Sequence, residues 1–233
     1  MSKIVDVLID FLFPNVCIIC GSNANNIKSP VCQTCISKID YIKMLHCVTC
    51  FQPLPDGGAH CWQCKKTKYH FEKVIAVGKY TGVLRDLILK FKERDLLKDA
   101  LGELLLKTLT INLDASLIDY IVPVPLSRKR EFKRGYNQSV LLAEFISNKI
   151  TKDVIKDNLV RVKDTTPQFE LNREERLFNI KNVFSVKEPL TFRDKSIIII
   201  DDIATTCSTL EECSVILKRN GAKKVYGLVL ARD

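Results

Sequence analysis

The stretch Ser196-Ile197-Ile198-Ile199-Ile200-Asp201-Asp202-Ile203-Ala204-Thr205-Thr206-Cys207-Ser208-Thr209-Leu210 decides the fold. Its four consecutive isoleucines are apolar on both sides of a pleat. Alternation would mark a strand with one wet face; an unbroken β-branched run marks a strand covered on both faces, as in a parallel sheet. The run ends in two carboxylates, and a loop of small hydroxyl residues follows. Beyond it Leu210, Cys213, Ile216 and Leu217 recur at helical spacing. Glu211 and Glu212 lie in the first turn, Lys218 and Arg219 in the last, and Gly221 is the stop. Residues 225–230 read as the next buried strand. The unit is β-α-β with its polar residues at the strand's carboxyl end, where open α/β sheets bind ligands.

Backbone N–H groups at a helix start, with hydroxyls around them, hold a phosphate. Two adjacent carboxylates just before them can hold sugar hydroxyls and a hydrated Mg²⁺. The pattern resembles the phosphoribosyl-pyrophosphate (PRPP) signature of type I phosphoribosyltransferases. Asp201 and Asp202 match the acidic pair, and Thr205, Thr206, Ser208 and Thr209 match the phosphate loop. With Ala204 and Cys207 they make up the candidate PRPP cradle. Cys207 stands where that family usually has glycine, and a Cβ there restricts positive φ and close backbone approach. That departure bears on catalysis more than on phosphate binding. The plainer alternative is a buried strand with a solvated acidic end.

Eight of the ten cysteines form four Cys-x-x-Cys pairs: Cys17/Cys20, Cys32/Cys35, Cys47/Cys50 and Cys61/Cys64. Each pair presents two thiolates to one metal, and a second pair completes a tetrahedron. Eight thiolates make two structural Zn²⁺ sites. Sequential pairing is the simplest, and an interleaved arrangement uses the same residues. Iron–sulfur ligation is an alternative. Disulfides would need an oxidising compartment, and residues 4–14, interrupted by Asp6 and Asp10, lack the uninterrupted apolar core of an export signal. Those residues read instead as a short amphipathic helix packing on the protein, with a membrane-surface helix as the alternative. Phe51 and Trp62 are expected to cover the ribbons in place of a core. His46 and His60 each precede a cysteine but are surplus to two four-thiolate sites.

The 233 residues accommodate one α/β domain and a small second module. The expected division is 1–14 as the helix, 15–70 as a double zinc ribbon and 71–233 as the sheet domain. The composition is globular, 46% hydrophobic and 27% charged, and the net charge of +9 points to an anionic partner. No run approaches the roughly 20 apolar residues of a membrane-spanning helix. A cytoplasmic place is expected, with peripheral attachment to the inner membrane as a variant.

Residues 74–80 read as a strand. Leu84, Leu87, Ile88 and Phe91 share a helical face, residues 97–109 form a second apolar-faced helix, and 119–125 is the next strand. Residues 126–138 follow as a loop with five basic side chains, Arg128, Lys129, Arg130, Lys133 and Arg134. With Lys90, the residues Arg128, Lys129 and Arg134 are candidates to clamp pyrophosphate or nucleic-acid phosphates. A solvated surface loop is the alternative. Tyr136 offers a stacking face for a base. Val140, Leu141, Phe145 and Ile146 open another amphipathic helix, and 159–162 reads as a short strand. The polar stretch 163–179 suits either a flap over the site or an ordinary turn and helix.

With these residues in view, the chain resembles the ComF (ComFC) family over nearly its full length. The resemblance rests on the cysteine pairs, Leu89-Lys90-Phe91-Lys92, Pro123-Val124-Pro125, Arg134-Gly135-Tyr136-Asn137-Gln138, Thr166-Pro167-Gln168 with Arg176 and Asn179, and the acidic-pair loop. It implies a double zinc ribbon before a parallel-sheet, phosphoribosyltransferase-like α/β domain. It implies PRPP binding with Mg²⁺, handling of single-stranded DNA in natural transformation, and contact with DNA-uptake proteins. Two other classes of function fit the same residues: a working phosphoribosyltransferase, and a non-enzymatic PRPP sensor whose ribbon contacts a partner.

Overall fold

A computed structural model describes residues 16–22, 29–43, 45–163 and 182–233. The expected N-terminal helix and most of the polar stretch, including Thr166, Pro167, Gln168, Arg176 and Asn179, lie outside the described residues.

Two five-residue helices, α1 (Gln33–Ser37) and α2 (Trp62–Lys66), each start from a cysteine. The Cys32 and Cys61 sulfurs accept the N–H of Cys35 and Cys64, so each Cys-x-x-Cys pair is also a helix cap. Phe51 is buried, as expected of a ribbon cover. Trp62 is not: it is 68% exposed. Cys61 and Cys64 define the inward face of α2, and Trp62 is turned about 100° off Cys61 around the axis. Its ring meets the Lys66 ammonium, 3.9 Å from the centroid, instead of a core.

β1 (Lys73–Lys79) leads into α3 (Gly82–Phe91), whose Leu84, Leu87, Ile88 and Phe91 are fully buried. A 3-10 turn separates α3 from α4 (Lys98–Asn112), so the second helix starts at Lys98 rather than Leu97. β2 (Tyr120–Pro123) follows. The basic stretch is a correction: the expected loop is a helix, α5 (Arg128–Arg134). Ser127 caps it by accepting the Arg130 N–H, and Gly135 closes it at φ +80°. Arg, Lys and Glu are good helix formers, so six such residues and Phe132 between a cap and a stop fold as about two turns.

α6 (Gln138–Ile150) buries Leu142, Ala143 and Ile146 and runs to β3 (Asp153–Val154). β4 (Leu159–Arg161) pairs antiparallel with β5 (Phe184–Val186) in a separate ribbon. The isoleucine run forms β6 (Ser196–Ala204), followed by α7 (Ser208–Arg219) and β7 (Lys224–Arg232).

The main sheet has five strands in the order β1-β7-β6-β2-β3, every pair parallel. Ile197 to Ile200 are each fully buried in its centre. β6 does not stop at the carboxylates. It continues to Ala204 because β7 runs on beside it, pairing Asp201 with Val229 and Ala204 with Arg232. The cysteine-rich segment lies along the β1 edge. The Ile42 N–H donates to Val77 O, Lys79 N–H to Asp40 O and Val74 N–H to Thr49 O. At Gly78 a Cβ would stand 2.7 Å from Asp40 O, so the close approach needs glycine. Covering an open edge in this way removes a template for unwanted strand pairing.

Candidate phosphate site and metal centres

The carboxylates sit where β6 leaves the core. Asp201 Oδ1 accepts the Asp202 N–H at 2.9 Å and the Ser139 hydroxyl at 3.2 Å. Burial pushes its carboxyl up to about 7, and the Asp202 charge adds to the shift. Asp202 faces Lys92, 3.0 Å from the ammonium. Arg134 is half-buried; burial lowers its pKa and the charge of Asp202 opposes that. Its Nη1 donates to Gln138 Oε1 at 2.9 Å, and the buried Gln138 Nε2 has no acceptor among the described residues.

The loop between β6 and α7 turns on Cys207, which lies in the left-handed region at φ +60°. The conformation that favours glycine is therefore adopted with a cysteine in place, and its thiol is buried. The N–H groups of Thr205, Thr206 and Cys207 have no partner among the described residues. Thr206 and Ser208 share a hydroxyl–hydroxyl hydrogen bond, and the Ser208 N–H donates to Thr206 Oγ1 at 3.4 Å. Thr209 lies in the first turn of α7. Ala204 is buried, and its carbonyl accepts from Arg232 Nη1 and the Asp233 N–H.

The structure thus brings Asp201, Asp202, Arg134 and the loop together. The other clamp candidates form no ion pair with the carboxylates. Arg128 and Lys129 stand exposed on the first turn of α5, and half-buried Lys90 forms no ion pair with either aspartate. Lys92, two residues on and just past the end of α3, takes that place; it lies in the quoted Leu89-Lys90-Phe91-Lys92 stretch. Ser139 is the other residue missed, signalled only by its place next to Gln138. Tyr136 is half-buried, its hydroxyl donating to Phe91 O and its ring tilted against that phenylalanine.

The cysteines assemble in sequence order. The sulfurs of Cys17, Cys20, Cys32 and Cys35 lie within 4.8 Å of one another, and those of Cys47, Cys50, Cys61 and Cys64 do likewise. Sequential pairing is settled, and no thiol is in a disulfide. The donor set fits Zn²⁺: four thiols converge at each site, and N–H groups point at sulfur, as from Cys32 N to Cys17 at 3.3 Å. Burial raises the Cys17 and Cys47 thiols, but surrounding N–H groups outweigh it and hold both near 6, the thiolate a metal needs. His46 lies tilted against the Phe51 ring and His60 meets the Thr49 hydroxyl, both outside the four-sulfur sets.

A parallel α/β domain with an acidic pair and an amide-lined loop, joined to two four-cysteine centres, defines a class: a zinc-ribbon module on an open parallel sheet. Comparisons with known proteins narrow it. A double zinc ribbon domain matches residues 8–65. Competence protein F of Haemophilus influenzae is 32% identical over 179 residues, covering 74% of this chain and 78% of that protein. DNA utilization protein YhgH of Escherichia coli K12 is 34% identical over 188 residues, covering 77% and 81%. The purine phosphoribosyltransferase of Pyrococcus horikoshii aligns over 57% of this chain and 71% of its own at 18% identity, with a TM-score of 0.36. The chain belongs to the competence protein F family. Among the described residues no helix is long and apolar enough to cross a membrane.

Proposed function

We propose that this protein is a DNA-uptake accessory that binds PRPP with Mg²⁺ at the β6–α7 turn and single-stranded DNA on α5. The observation that carries the first half is the row of three N–H groups at 205–207 without a partner among the described residues, heading a twelve-residue helix beside Asp201 and Asp202. Such a row is an anion cradle. The 5′-phosphate lies on it, the two carboxyls take the ribose hydroxyls, and Lys92 and Arg134 face the pyrophosphate with its Mg²⁺. The orphaned Gln138 Nε2 beside Arg134 suits an added anionic acceptor. Calorimetric titration with PRPP and Mg²⁺ tests this. Binding that drops at least tenfold in Asp202→Asn supports it; no heat from the wild-type protein overturns it.

DNA binding is supported by α5. Arg128, Lys129 and Lys133 are exposed, and Phe132 among them is 94% exposed, a stacking platform between phosphate contacts. Each neutralised phosphate contributes about −0.7 to the log–log salt slope for a single strand. Replacing Arg128, Lys129 and Lys133 by Ala should therefore flatten the slope by up to about 2. An unchanged slope moves the DNA site elsewhere.

A second reading, a working phosphoribosyltransferase, is favoured by Asp201. A carboxyl near 7 is poised to take a proton at physiological pH. The C1–O bond to pyrophosphate would break, a bond from C1 to the acceptor would form, and the acceptor's proton would pass to Asp201. Pyrophosphate release with any base or amine, lost in Asp201→Asn, supports this reading; silence across acceptors excludes it.

A further inference from the structure

Arg232 closes β7 and is buried, and among the described residues every acceptor of its guanidinium is a main-chain oxygen. Nε donates to Cys50 O at 3.0 Å. Nη1 donates to Ala204 O and Asp233 O, each at 2.8 Å, and to Thr205 O. Cys50 belongs to the second four-cysteine centre, and Ala204 and Thr205 are the entry to the phosphate loop. One side chain thus joins two modules that lie far apart in sequence.

The contacts have a geometric consequence. In a trans peptide the C=O and the following N–H point in opposite directions. Drawing the Ala204 and Thr205 carbonyls inward to Arg232 turns the N–H groups of Thr205 and Thr206 outward. These are two of the three donors that lack partners. The cradle is therefore shaped from behind.

Charge runs the same way. A buried guanidinium needs anions near it, and none of the ion pairs among the described side chains involves Arg232. The sulfurs are the nearest candidates: four thiolates around Zn²⁺ would carry a net 2−, and Arg232 acts electrostatically on Cys50 of that set and on Cys207. A second tether lies alongside. The His70 N–H and ring Nδ1 meet the two carboxylate oxygens of Glu211, in the first turn of α7, at 2.9 and 2.7 Å. It pins the chain leaving the second ribbon to the helix that heads the loop. Among the described residues, none of Arg232's side-chain hydrogen bonds goes to the first centre.

We infer that Arg232 is a positioning residue that couples the second zinc centre to the phosphate loop, so that metal at Cys47, Cys50, Cys61 and Cys64 and an anionic ligand on the loop stabilise each other. The coupling is reciprocal, as binding linkage requires. Its ligand half rests on the phosphate-binding reading above; its metal half does not.

Cysteine alkylation in a chelator, followed by peptide mapping, reports each centre separately in the zinc-loaded full chain. In Arg232→Met the second centre should become accessible about tenfold faster, the equivalent of about 1.4 kcal/mol, with Cys17, Cys20, Cys32 and Cys35 unchanged. PRPP with Mg²⁺ should bind about tenfold more weakly to the same variant, and should slow alkylation of the second centre in the wild-type protein alone. Arg232→Lys, which keeps the charge and loses the fork, should fall between the two; it decides the matter if Arg232→Met does not fold. Equal acceleration at both centres, or none at either, overturns the inference. If the wild-type protein binds no PRPP, the ligand reading fails and the alkylation rates alone decide the role of Arg232.

Discussion

Asp201 is half-buried, with one oxygen held by a backbone N–H and a serine hydroxyl. Its folded value of about 7 stands above the ordinary 3.8. The sign of the pH effect follows from that order. Below 3.8 both folded and unfolded forms hold the proton and the group is neutral to stability. As pH rises from there towards 7 the unfolded chain releases it first, so stability falls, by at most about 1.4 kcal/mol per pH unit. Above 7 the penalty is full and constant. The melting temperature of Asp201→Asn should therefore gain on wild type as pH rises from about 4 to 7 and hold that lead above it; a gap independent of pH would show that the carboxyl titrates normally. Cys207 poses a conformational question. A left-handed non-glycine residue costs about 1–2 kcal/mol, which Cys207 partly offsets by burying its thiol. Cys207→Gly should change stability by less than about 1 kcal/mol and retain PRPP binding, the relief offsetting the lost burial. Cys207→Val puts a β-branched side chain where that backbone excludes it, and should lose about 1–2 kcal/mol together with ligand binding. Thermal melts and titration of the two variants check both.

Among the elements, α4 and α6 meet at Gly102, where a Cβ would overlap the Phe145 ring. Gly102→Ala gains helix propensity but must displace a half-buried aromatic. A net loss of about 1–3 kcal/mol is expected by denaturant titration, and a gain would mean the ring moves freely. β6, α7 and β7 were legible because their signals are local: an unbroken β-branched run, charges sorted to opposite helix ends, a glycine stop. α5 was not, because charge on nearly every residue erases the apolar period and leaves only Ser127 and Gly135 as marks. Lys92 was passed over for Lys90 because the helix ends between them, and the face a side chain takes past a helix end cannot be read from spacing. Trp62 is expected to cover the ribbons in place of a core, but the two sulfurs of α2 fix which face turns inward and leave it outside. Arg232 belongs to no motif at all; its partners are set by the way the ribbon lies on the sheet.

At the scale of the molecule, the cysteine-rich segment closes one edge of the sheet and reaches its functional end. β1 hydrogen-bonds β7 on one side and, on the other, meets Asp40, Ile42 and Thr49 of the ribbon segment. The opposite edge is the two-residue β3, too short to template another chain. The long edge is thus protected only while the ribbons hold their shape, and modules this short depend on their metal for it. Stripping both centres should therefore loosen one side of the sheet before its middle. In hydrogen exchange with chelator, the amides of Ile42, Val74 and Lys79 should lose protection, while those of Ile198 and Ile199 in the central strand keep theirs. Light scattering should rise with the loss, since an uncovered β1 offers seven residues to a second molecule. Uniform loss across the sheet would mean that the metals support the whole domain rather than its edge, and unchanged exchange at Val74 and Lys79 would mean that the ribbon keeps its place on β1 without them.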